Sequence, residues 1–245
     1  MLKRASRHAD GDVIRVGAVD VRLTVSRRAR QVSLRVDRAR GQVLAVAPTL
    51  RQLADAARFA HERQAWLAAR AAELRPPTQL TPGMALTAFG ETCRLGRSPG
   101  RASVEGPGWE GGCRLPPGAD EALYGRAVML ILKRRAKAWF APRLAHHCAA
   151  LGVAVPALAI ADARTRWGSC TPGDKRRAAS IRLSWRLALA PPEVADYVAA
   201  HECAHLLEAN HGPKFWAHVR RLVGDHRPHR AWLRAHGAEL HAFGA

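Results

Sequence analysis

The segment His201-Glu202-Cys203-Ala204-His205-Leu206-Leu207-Glu208-Ala209-Asn210-His211 constrains this chain more than any other. On a helix, His201 and His205 stand four residues apart, so both imidazoles project from one face. Such a pair can grip one Zn²⁺ through ring nitrogens at about 2.0–2.1 Å. Glu202 leans beside the pair, within reach of a water on the metal, which makes it the candidate general base. Two histidines leave a catalytic zinc one protein ligand short, and His211 is the expected third. On an unbroken helix it would sit about 15 Å along the axis from His201, so the helix has to end between His205 and His211. Asn210 tolerates the left-handed conformation that ends many helices, while Gly212 and Pro213 oppose simple continuation. Pro213 suits the first turn of a new helix. The motif lies in an apolar run (Val194, Tyr197, Val198, Ala199, Ala200, Leu206, Leu207), which predicts a buried helix. Unliganded histidines would be costly there.

The histidine spacing coincides with that of the metzincins. Two departures separate this chain from them: Glu208 stands where they have a turn glycine, and no methionine follows the motif. The break after His205 is therefore expected to be built differently.

Composition sets outer bounds. At 245 residues the chain can bury a substantial core as one large domain or two modest ones. The longest apolar stretches, such as Leu151 to Ala161, are too short to span a bilayer and are broken by Pro156. The start has no apolar core of a secretion signal, so a cytoplasmic location is the expectation. The five cysteines include no C-x-x-C pair, which fits a reducing compartment rather than a disulfide framework. The net charge of +19, mostly arginine, attracts nucleic acid, anionic surfaces or acidic substrates. No nucleic-acid motif accompanies it, and biased coding composition produces the same excess, so charge leaves that partner open. Oligomeric state is not legible.

Along the chain, residues 1–12 are polar and expected to lack regular structure. Val21, Leu23, Val25, then Val32, Leu34, Val36, then Val43 to Ala47 alternate as antiparallel strands, with Asp37 to Gly41 as a hairpin connection. Thr49 and Gln52 have capping-box spacing ahead of one long alanine-rich helix, about 50–74, closed by Pro76-Pro77. His61-Glu62 in that helix lacks a second histidine, so His61 reads as an ordinary surface or packed histidine rather than a ligand. Short strands are expected near 84–89 and 92–95. Residues 96–119, rich in Gly and Pro, read as turns and loop and as the boundary between two domains, 1–118 and 119–245. Asp120 caps a helix ended by Gly152. His146 and His147 point in different directions and take a structural reading. Leu158–Ala161 and Ser180–Trp185 read as two strands joined by an arginine-rich loop, next to a helix that opens at Pro191-Pro192-Glu193. An edge strand there can align an extended peptide. Helical segments around Phe215 and Trp216 and from Pro228 to Leu240 are expected to cover the metal helix. His218, Asp225, His226, His229 and Glu239 lie there as candidate partners of the ligands or as lower-ranked ligands.

The residues Arg164-Thr165-Arg166-Trp167-Gly168-Ser169-Cys170, Ile181-Arg182-Leu183-Ser184-Trp185-Arg186-Leu187, Tyr197-Val198, His201-Glu202 with His205-Leu206, Asn210-His211 and Phe215-Trp216 together resemble the YgjP-like metallopeptidase family, which is related to the SprT-like zinc proteases. The match is strongest over about 155–220. The family usually has asparagine where this chain has Ser184. The resemblance implies an α+β fold: an antiparallel β-rich N-terminal half, then a helical zincin-like domain with a β-hairpin beside the zinc helix. It also implies Zn²⁺ on His201, His205 and His211, with Glu202 as base.

Three functions follow as expectations. The first is zinc-dependent hydrolysis of peptide bonds in a peptide or protein substrate, with Arg166, Tyr197 and His218 as candidates to meet the developing oxyanion. The second is metal-dependent nucleotide pyrophosphohydrolysis, motivated by Arg164, Arg166, Lys175, Arg176, Arg177, Arg182 and Arg186 near the metal in sequence. Against it, no glycine-rich phosphate cradle appears, and carboxylates for Mg²⁺ are few. The third is a zinc-stabilised nucleic-acid-binding module, which would need no base beside its ligands.

Overall fold

A computed structural model of the chain describes residues 8–37, 40–72, 74, 78–109, 111–163, 166–174 and 176–244. Outside the described residues fall residues 1–7, two positions of the Asp37–Gly41 connection, Pro76 and Pro77, and Arg164, Thr165 and Lys175 of the arginine-rich loop. The chain divides into two compact units, Met1–Pro77 and Thr78–Gly244.

In the first unit β1 (Val13–Val16), β2 (Val19–Val25), β3 (Ser33–Asp37) and β4 (Gln42–Ala47) form one sheet in the order β1-β2-β4-β3. The β1–β2 and β3–β4 pairs are antiparallel. β2 and β4 instead run parallel, from Val21↔Val43 to Val25↔Ala47, which corrects the expectation of purely antiparallel strands. These two strands carry the most apolar inner faces, and placing them side by side buries Val21, Leu23, Val43, Ala45 and Ala47 together. Alternation shows which face is buried, not which strand is the neighbour. The single helix expected over 50–74 is a 3₁₀ turn followed by α1 (Leu53–Glu62) and α2 (Gln64–Ala72), parted at Arg63. The capping box does not close, since the Thr49 hydroxyl bonds the Gln52 side chain at 2.9 Å rather than a backbone amide. Leu53, Ala56, Ala57 and Ala60 pack on the sheet, whereas His61 and Trp66 face solvent.

The second unit opens with an antiparallel meander, β5 (Ala85–Ala88), β6 (Glu91–Ser98), β7 (Arg101–Glu105) and β8 (Gly112–Arg114). Much of the stretch 96–119, residues 96–98, 101–105 and 112–114, thus belongs to a sheet rather than to loop. Its strands are short, and their inward residues Leu95, Ala102 and Val104 are too few to stand out among glycines at the reversals, such as Gly100 at φ 70°. The expected boundary near 118 lies inside this unit. Leu86, Leu95 and Val104 share a core with Tyr124, Val128 and Leu132 of α3 (Glu121–Leu151). α3 is bounded as its sequence predicts: Asp120 Oδ1 accepts the Leu123 N–H at 2.7 Å, and Gly152 ends it at φ 72°. Leu130 of α3 is exposed.

β9 (Ala157–Ala161), β10 (Gly168–Thr171) and β11 (Ser180–Ser184) form a sheet in the order β10-β11-β9. β9 and β11 are parallel, and the antiparallel partner of β11 is β10, which comes from within the arginine-rich segment. The hairpin beside the metal helix is therefore β10–β11, and β10 is an edge. Gly-Ser-Cys-Thr has no apolar alternation to announce a strand. Ser184, with no exposed surface, accepts the Arg186 N–H at 3.4 Å and caps the 3₁₀ turn that leads to α4 (Pro192–Ala204). α5 (Pro213–Val223) and α6 (Arg227–Ala242) follow, and Leu240 of α6 packs with Ala190 and Val194 behind α4. The architecture is α+β, with a helix-borne histidine cluster beside a β-hairpin in a zincin-like arrangement. Among the described residues no helix is long and apolar enough to cross a membrane.

Candidate active site

α4 starts on proline with Glu193 in its first turn and buries Val194, Ala195, Val198 and Ala199. Its regular part stops at Ala204. His205 keeps right-handed dihedrals, and the chain tightens into i→i+3 bonds, Leu206 N–H to Cys203 O at 3.0 Å and Leu207 N–H to Ala204 O at 3.1 Å. The left-handed Asn210 expected from the sequence does not occur, since Phe89 alone among the described non-glycine residues has positive φ. The break is a tightened last turn followed by a short reversal, in which the Gly212 N–H donates to Asn210 O at 2.8 Å. Pro213 opens α5 as its position predicts.

That reversal brings the third imidazole back. His211 Nε2 lies 3.0 Å from His201 Nε2, and one nitrogen from each of His201, His205 and His211 falls within 4.8 Å of the others. Tetrahedral bonds of 2.0–2.1 Å set ligand nitrogens about 3.3 Å apart, so the donor set fits zinc. His205 Nδ1–H donates to the Glu208 carbonyl at 3.0 Å, which fixes the ring and turns Nε2 toward the cluster. Phe215, wholly buried, backs all three rings at 4.8, 4.5 and 4.6 Å between centroids. Burial, reinforced by the neighbouring His205 and His211, holds the His201 pKa down at about 3, so that its ring is neutral and able to ligate.

Glu202 is 5 % exposed. Burial pushes its pKa up to about 7, against the opposing pull of Arg166. Gly168 of β10 presses on it, so closely that a Cβ there would meet Glu202 Oε1 at 2.5 Å. Glycine at this position is what lets the hairpin lie against the carboxylate.

Of the other sequence candidates, Tyr197 stands one turn before His201, edge-on to its ring at 5.9 Å, and stacks near His226 and His229. Arg166 is exposed two residues ahead of β10, within electrostatic reach of Glu202. His218 sits half-buried on α5 and makes no hydrogen bond or ring contact with the three histidines among the described residues. His147 is buried, with Nε2 on Asp196 Oδ1 at 3.0 Å, which suits a structural role. Arg230 was not visible from sequence. It lies over the Trp216 ring at 5.8 Å, and its charge acts on Tyr197, His201 and His211. Nothing local marks it among so many arginines.

A carboxylate walled in beside three convergent imidazoles, on this scaffold, places the protein among zinc-dependent hydrolases of the zincin class. The chain belongs to the YgjP-like family: the family model for the YgjP-like metallopeptidase domain matches residues 30–236. Neither a curated protein nor a solved structure matches it.

Proposed function

We propose that this protein is a zinc-dependent peptidase in which His201, His205 and His211 hold the metal and Glu202 is the general base. The observation that carries this reading is the return of His211 to within 3.0 Å of His201 beside a buried carboxylate. When bound, zinc supplies Lewis-acid polarisation and a water acidic enough to ionise near neutral pH. Glu202, whose burial raises its affinity for a proton, accepts one from the attacking water and delivers it to the leaving amine. β10 offers its free edge to an extended peptide, whose backbone pairs with it and sets the scissile carbonyl against the site. Tyr197 and Arg166 adjoin the reacting end and are the foremost donors for the carbonyl oxygen as it gains charge; His218 is a third candidate with no contact to support it.

The nucleotide alternative loses one of its arginines. Arg186 has no exposed surface, and its guanidinium is committed to Asp162 and to the Phe243 carbonyl. The deciding experiment is Glu202→Gln. The variant is expected to bind zinc like the parent and to cleave a peptide library about 10²–10⁴-fold more slowly, while His205→Ala loses the metal. A zinc-loaded Glu202→Gln protein as active as the parent removes the base. Pyrophosphate released from a nucleoside triphosphate, and abolished by His205→Ala, moves the protein to the other class.

A further inference from the structure

An open cleft of about 430 Å³ lies where the ends of β9, β10 and β11 meet, and Arg166, Ser169 and Arg182 contribute polar groups to it. The cleft adjoins the candidate active site directly. Gly168 lines it and touches Glu202, while Arg166 lines it and acts on the same carboxylate. Ser169 pairs with Arg182 across the β10–β11 ladder, so both side chains lie on one face; Gly168 and buried Leu183 share the other, toward Glu202. Among the described residues neither Arg166 nor Arg182 has a hydrogen-bonded or ion-paired partner, and both are exposed. One acid does border the cleft. Asp162 Oδ1 accepts from Trp185 Nε1–H at 3.0 Å and from the buried Arg186, so its charge is already balanced by a third arginine. The cleft therefore carries two exposed guanidiniums without a hydrogen-bonded partner among the described residues, Arg166 within the field of Glu202 and Arg182 outside it, and a hydroxyl.

From this we infer that the cleft is a specificity subsite for a carboxylate borne by a substrate residue next to the scissile bond. The inference rests on the peptidase reading above. A strand added at the β10 edge directs alternate residues to opposite faces of the sheet. If the side chain of the residue that bears the scissile carbonyl lies on the Glu202 face, the side chain of its neighbour lies on the face of Ser169 and Arg182. Two guanidiniums and a hydroxyl lining one cleft are the chemistry that receives a carboxylate, and they reject lysine or arginine by like charge. The carboxylate comes either from an Asp or Glu side chain or from the free end of a peptide.

The test uses the full-length protein and fluorescein-labelled peptides that differ at one central residue, Asp, Asn or Lys, each with an amidated or a free C-terminus. Binding is read by anisotropy with zinc-loaded Glu202→Gln, and cleavage is read with the parent. Amidated Asp peptides are expected to bind and to be cleaved at least about tenfold better than their Asn counterparts; a gain confined to free-acid peptides assigns the subsite to a terminal carboxylate. Arg182→Gln in each background is expected to abolish the preference while leaving the Asn peptide unchanged, and Arg182→Lys to keep part of it. Equal binding of Asp and Asn peptides together with no gain of the free-acid over the amidated form, or a preference that survives Arg182→Gln, overturns the subsite. Acid-selective binding without any cleavage by the parent keeps the subsite and removes the peptidase, and indiscriminate cleavage does the reverse.

Discussion

At the scale of single residues, the site is defined as much by what is small or apolar as by its ligands. Gly168→Ala would place a methyl 2.5 Å from Glu202 Oε1, so the carboxylate or the strand must move. The expected result is unchanged zinc content with a kcat lower by about 10²-fold, the penalty of roughly an ångström of misplacement; metal analysis beside kinetics checks it. Phe215 fills the space under all three imidazoles, and Phe215→Ala is expected to cost about 3–5 kcal/mol of stability. Weaker zinc retention against a chelator should accompany that loss, because the rings lose their common backing. The histidines were legible because their spacing along one helix is itself the geometry. His211 needed one more inference, a break after His205, and its existence was readable although its form was not: Asn210 looked like the terminator, yet the chain stops by tightening after Cys203. Gly168 was quoted within a motif but its reason was invisible, since the atom it accommodates is contributed from another element.

At the scale of elements, capped helices were the clearest. α3 announced both ends, with an acceptor at Asp120 and a left-handed glycine at 152. Sheet partnership was the least clear, because alternation in β2, β4, β9 and β11 says nothing about direction, and two of these pairings are parallel. The connection from β9 to β10 and the turn after β11 are tied by Asp162, Trp185 and Arg186. Burial opposes ionisation of Asp162, but the Trp185 N–H and the Arg186 charge outweigh it and hold its pKa below the ordinary carboxylate range. A carboxyl depressed in the folded state adds stability above its unfolded value of about 3.9, and that share is lost as the pH falls through the lower folded value. Denaturant midpoints measured from pH 6 downward should therefore fall more steeply for the parent than for Asp162→Asn. Parallel curves would show that the tie does not matter to the fold.

At the scale of the whole molecule, each unit has a core of its own, and every candidate ligand belongs to the second. Zinc that binds the folded second unit stabilises it by about 4 kcal/mol when free metal exceeds Kd a thousandfold. Chelation is thus expected to lower the thermal transition of that unit and to leave the transition of the first in place; a calorimetric trace in which both move together contradicts this. Within the second unit α3 serves two masters. Tyr124, Val128 and Leu132 sit in the core of the β5–β8 meander, while Phe140, Leu144 and Cys148 sit in the core of the metal helix. Cys148 Sγ lies 3.8 Å from Cys203 Sγ, directly behind the histidine face. One helix, about 36 Å from Tyr124 to Cys148 and continuous through Pro142, packs into both cores and so couples them. Repacking a distant sheet should consequently surface as altered chelator resistance, a lever arm by which remote sequence drift can retune the cation without touching a single imidazole.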